Sequence, residues 1–133
     1  MRLLWLLPLF VWLPSSVVAQ RSSAAATACY KVEGHADARH CLEEKAKRSA
    51  ADLDAEETAL RTALTRSGDE SARQLAAFDD AVKRFRQYRA SQCSFVAALA
   101  AGGNAATDRR LLCEIDLNEA RIFQLSTDHP GGV

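Results

Sequence analysis

Apolar and polar residues alternate along this chain in two distinct ways. From Leu3 to Leu13 the run LLWLLPLFVWL is almost wholly apolar. From Asp37 onward apolar residues return at three- and four-residue intervals, interleaved with charges. The second pattern predicts amphipathic helices. The first helix is predicted from Asp37 to Arg66, marked by Leu42, Ala46, Leu53, Leu60 and Leu64. Ser67-Gly68-Asp69 reads as a turn, with Asp69 or Ser71 as the next cap. A second helix is predicted from Glu70 to Ala101. Its stripe Leu75, Phe78, Val82, Phe85, Arg89, Gln92, Val96 and Leu99 keeps strict three-four spacing. Gly102-Gly103-Asn104 ends it. A third helix is expected from Thr107 or Asp108 to Leu125, with the stripe Leu111, Ile115, Asn118, Ile122 and Leu125. No proline falls between Pro14 and Pro130, and glycine is sparse, which leaves little room for strands. Short turns between long helices force antiparallel neighbours. The expected fold is all-α: a small antiparallel three-helix hairpin stack stapled by two disulfides.

The N-terminal run has a different reading. Arg2, the apolar stretch, the break at Pro14-Ser15-Ser16 and the small residues Val17-Val18-Ala19 form the tripartite layout of a secretory signal. Cleavage is expected after Ala19. The run is too short to cross a hydrocarbon core, which takes about 20 residues, so no stable membrane insertion is expected after its removal. The expected division is a signal peptide over 1–19, a flexible leader over 20–28, a helical domain over 29–125 and a tail over 126–133.

Charge and cysteine content narrow the function classes. The chain carries 17 basic and 17 acidic residues. Loss of Arg2 leaves the remainder one acidic residue in excess. That balance argues against nucleic acid, which rewards a basic face. The four cysteines all follow the signal, and an even count in a small exported chain reads as two disulfides. Of three possible pairings the spacing favours Cys29–Cys41, across a short turn at Gly34, and Cys93–Cys113, equidistant from Gly103 in a helical hairpin. Against the second, Cys113 points away from the Leu111–Ile115 stripe, which requires the third helix to be covered on two sides.

No constellation in the sequence argues for catalysis. His35 and His40 beside Cys29 and Cys41 invite a zinc reading. The histidines lack the i, i+4 spacing and the cysteines the two-to-four-residue gap that such sites use, so neither metal nor cofactor is expected. Carboxylates such as Glu44, with Arg48 four residues on, have the spacing of a solvated helix face. The exception to the amphipathic pattern is Arg89, on an apolar stripe. An arginine there needs a polar partner. Asp116 on the third helix is one candidate. Either Arg89 is satisfied inside the fold or it is a contact residue at a binding face.

The stretch Leu75–Cys93 (LAAFDDAVKRFRQYRASQC) resembles the signature of the LprI-like lysozyme-inhibitor family, through Phe85, Tyr88, Arg89 and Cys93. The resemblance continues through Gly102-Gly103 to Cys113, Arg121 and Leu125. On the N-terminal side Cys29, Cys41, Asp52-Leu53 and Leu60 match in order, so that residues 29–125 are covered. Phe85 stands where the family has tryptophan, Val82 for its glutamine, Ala90 for its acidic residue and Asn118 for its threonine. The resemblance implies an exported bacterial protein, periplasmic or secreted, with no enzymatic activity of its own. Its implied partner is a protein, lysozyme, blocked by occlusion of the cleft. Chicken-type lysozymes are basic, so an acidic run such as Asp52–Glu57 (DLDAEE) would steer encounter. The alternative is an interaction module of the bacterial envelope that binds a bacterial protein or peptidoglycan. The sequence does not single out a binding face.

Overall fold

The structure is a computed structural model that describes residues 24–31, 34–66 and 71–127. The expected signal peptide, the start of the leader, the turn at 67–69 and the end of the tail lie outside these residues. The described residues form four helices: α1 (Ala24–Cys29), α2 (His35–Thr65), α3 (Ser71–Ala98) and α4 (Gly103–Thr127). The long three are the expected stack. The flexible leader expected through Ala28 is instead helical from Ala24, because Ala25 and Cys29 are buried against α2 and α4. The tail expected from residue 126 likewise begins later. The Thr127 hydroxyl donates to the Phe123 carbonyl at 3.0 Å inside the last turn of α4.

The hairpin between α3 and α4 is tight. Ala101, Gly102 and Gly103 all take positive φ, at 54°, 89° and 71°. This is cheap for glycine and unfavourable for alanine. With the reversal completed by Gly103, α4 starts there, ahead of the expected Thr107.

α4 is the central element, packed against α1, α2 and α3. Arg39 bonds Asp108, and Asn118 bonds Ser49; both partners are 69 residues apart, so α2 and α4 run in parallel and α3 runs against them. One face of α4 meets α2 through Leu111 and Ile115, and the other meets α3 through Cys113. This double coverage removes the objection to the Cys93–Cys113 bridge. Both favoured disulfides are present, with Cα–Cα distances of 5.6 Å for Cys29–Cys41 and 5.5 Å for Cys93–Cys113.

The core falls into two clusters. At the end near α1, Ala25, Cys29, Leu42 and Ile115 are buried, with Cys41, Ala46, Leu111 and Leu112 against them. At the far end, Leu53, Phe78, Val82 and Leu125 are buried, with Leu60, Leu64, Phe85 and Ile122 around them. The α3 stripe holds as far as Phe85 and then turns outward. A strict seven-residue repeat drifts by about 20° per heptad on a straight helix. By the last heptad, Cys93 has taken the inward position and Leu99 is exposed.

Candidate functional site

Between the two core clusters lies a belt of polar side chains. The Arg89 guanidinium donates to Asn118 Oδ1. Asn118 Nδ2 donates to Ser49 Oγ at 3.1 Å, and the Ser49 hydroxyl donates to the Ala46 carbonyl at 3.0 Å. Ser49 and Asn118 are both buried. Each side of the chain satisfies the next, as buried polar groups require. Arg89 is therefore held inside the fold, but by Asn118 and not by Asp116. Two residues along an α-helix turn the side chain by about 200°; Asp116 points to the opposite face, where it lines a groove.

The motif residues sort into three places. Phe85, Arg89 and Arg121 meet: the two guanidiniums lie 5.9 and 5.7 Å from the Phe85 ring centroid, within cation–π range. The Arg121 Nε is buried without a hydrogen-bond partner. Cys93 and Cys113 form the bridge above this group, and Leu125 is buried in the core below it. Tyr88 is separate. It faces outward into an open groove of about 440 Å³ between α3 and α4, lined also by Gln92, Val96, Arg109, Leu112 and Leu117.

Two ionic groups escape a sequence reading. Near the Cys29–Cys41 bridge the buried Asp108 carboxylate accepts from Arg39 Nε, and His35 Nε2 lies 3.7 Å from it. Arg39 also donates to the Asn104 carbonyl at 2.6 Å. The Tyr30 phenol is pushed up from its ordinary value, first by burial and then by the Asp108 charge and hydrogen bond. His35 therefore faces a carboxylate, and the cysteines beside it are joined to each other. The proximity of Arg39 and Asp108 was hidden by their 69-residue separation on the parallel helices.

The second group concerns the acidic run. Glu57, only 1% exposed, accepts from Arg86 at 2.8 Å, and Asp54 accepts from the same guanidinium nitrogen at 2.9 Å. The Arg86 pKa is raised chiefly by the hydrogen bond to Glu57. The run Asp52–Glu57 is thus not a free anionic patch, since two of its carboxylates are committed to α3. Its period of three places Asp54 and Glu57 on the side of α2 that turns toward α3.

Among the described residues, no helix is long and apolar enough to cross a membrane. The described residues form a small, all-helical bundle stapled by two disulfides, with a polar belt joining α2, α3 and α4. The family model for the lysozyme inhibitor LprI matches residues 25–125, and the chain belongs to that family. No curated protein and no solved structure matches the chain at a significant level.

Proposed function

We propose that this protein is an exported lysozyme-binding protein of the bacterial envelope, which blocks a muramidase by occluding its cleft. The observation that carries this reading is family membership across residues 25–125, the whole of the stapled bundle. The physical support is rigidity. Both bridges, the Asn118 belt and the Asp108 cluster hold long helices in one arrangement. A preorganised surface loses little conformational entropy on binding, which is what an occluding inhibitor needs. With Glu57 and Asp54 engaged by Arg86, long-range attraction to a basic enzyme is weak. Contact complementarity, and not global steering, then supplies the affinity. The signal layout supports a periplasmic or secreted location, with a mature chain that begins at Gln20.

Calorimetric titration of residues 20–133 into a chicken-type lysozyme tests the reading, with co-sedimentation on peptidoglycan sacculi in parallel. Saturable heat with lysozyme and no retention on sacculi is expected. Retention on sacculi with no heat would replace the inhibitor by an envelope module without lysozyme binding. Mass spectrometry of the exported protein checks processing: loss of residues 1–19 is expected, and a retained N-terminus contradicts the cleavage.

A further inference from the structure

The outward face of the α3–α4 hairpin combines exposed apolar side chains with one basic and one acidic residue. Tyr88, Phe95 and Leu99 are 53, 57 and 61% exposed. Together with Gln92 they fall on one side of α3, within about 60° of each other at 100° per residue. On α4, Arg109, Leu112 and Asp116 share one side in the same way. Arg109 and Asp116 are exposed, and neither has an ion-pair partner among the described residues.

The positions are arranged about one level. Along α3 and the turn that continues it, where the Leu99 N–H donates to the Phe95 carbonyl at 3.2 Å, Tyr88 and Leu99 lie equally far on either side of the Cys93–Ser94 peptide, and so do Gln92 and Phe95. On α4, Arg109 and Asp116 lie equally far on either side of the Leu112–Cys113 peptide. The Cys93–Cys113 bridge makes these two midpoints the same height in the bundle. An in-plane two-fold axis at that height lays α3 antiparallel on α3 of a second copy, and α4 on α4. It places Arg109 against the second copy's Asp116, and Asp116 against its Arg109. Tyr88 meets the second copy's Leu99, Gln92 its Phe95, and the Leu112 side chains meet near the axis. An isologous interface requires this self-complementarity. The two charges and these apolar residues share one axis, while Phe123, seven residues past Asp116 and exposed, lies outside the paired set.

We propose that this face is the dimer interface of the protein, and that its occupant is a second copy of the same chain. The surface has the composition of an interface centre: two aromatics and two leucines, with one opposite-charge pair on each side of the axis.

Sedimentation velocity of disulfide-intact residues 20–133 over a concentration series tests the proposal, with circular dichroism confirming the helical fold of each variant. The wild type is expected to move reversibly from monomer to dimer. Arg109→Asp and Asp116→Arg, each placing two like-charge pairs in the dimer, are expected to raise the dimer Kd by about tenfold or more. The double variant, which exchanges the charges, is expected to recover dimerisation. Leu99→Glu is expected to abolish it without lowering the melting temperature, since Leu99 is exposed in the monomer. A monomer at every concentration overturns the proposal, and so does a dimer indifferent to these variants or not recovered by the charge exchange. The outcome does not depend on lysozyme binding, which is measured separately.

Discussion

The two ends of the bundle are held together by different physics. At the end near α1 two of the four buried core side chains are small, Ala25 and Cys29, and sit with Leu42, Ile115 and the half-buried Ala46. Both disulfides and the Asp108 cluster are gathered at or beside that end. At the far end Leu53, Phe78, Val82 and Leu125 supply larger apolar bodies, and no disulfide crosses them. Apolar burial stabilises by about 25 cal/mol per Å², so an end where alanine and cysteine take two of the four buried places gains less from it. Covalent loops and a buried ionic group stand in where side-chain volume is lacking. The Ser49–Asn118–Arg89 belt separates the two regimes and sets the register between them.

The largest expected effect comes from removing the staples. Loops of 12 and 20 residues predict about 3 kcal/mol of stabilisation each in the chain-entropy model. Small domains have a total margin of about 5–15 kcal/mol. Replacing all four cysteines by alanine is expected to leave amides of α1 and the start of α2 freely exchanging, while the α2–α3 end retains protection. Equal protection at both ends after this change would erase the contrast. Non-reducing peptide mapping of the wild type should show the two bridges and no free thiol.

Leu53→Ala comes next. It opens a cavity at the unstapled end and is expected to cost about 3 kcal/mol, read from denaturant midpoints. Arg89→Ala follows at about 2 kcal/mol, because Asn118 loses a donor in a buried setting. That figure is smaller than a buried carboxylate partner would imply, since Asn118 is neutral. A melting temperature unchanged by Arg89→Ala would mean that the belt does not hold the two ends in register.

The smallest effect concerns pH. The folded-state pKa of Tyr30 is raised, by burial first and Asp108 second. The folded chain therefore holds this proton more tightly than the unfolded one. The associated stability is complete below the ordinary tyrosine value of about 10 and is lost as pH rises through the folded value. Tyr30→Phe is expected to flatten the alkaline limb of a melting-temperature profile slightly; an unchanged limb would detach Tyr30 from the Asp108 cluster.

Much of this was legible in the sequence, for reasons that also mark the boundary. The three long helices follow from period and from the lack of breakers. The disulfides follow from helix heights either side of a turn, because equal rise per residue makes distance along a hairpin predictable. Three features were not legible. The helicity of α1 depends on burial against α4, a contact far away in sequence. The choice of Asn118 over Asp116 for Arg89 depends on helix rotation, which carboxylate-first reasoning ignores. The outward turn of Val96 and Leu99 accumulates from the small mismatch between 3.5 and 3.6 residues per turn, and it is this drift that exposes the symmetric face on α3.

The central claim, that this stapled scaffold occludes a muramidase, is tested most directly by residual lysozyme activity on peptidoglycan. Purified residues 20–133 are added in increasing molar ratio, oxidised in one series and reduced in the other. The account predicts a saturable loss of activity with the oxidised protein, and weaker inhibition after reduction loosens the α1 end. Full lysozyme activity in the presence of excess oxidised, folded protein would contradict it.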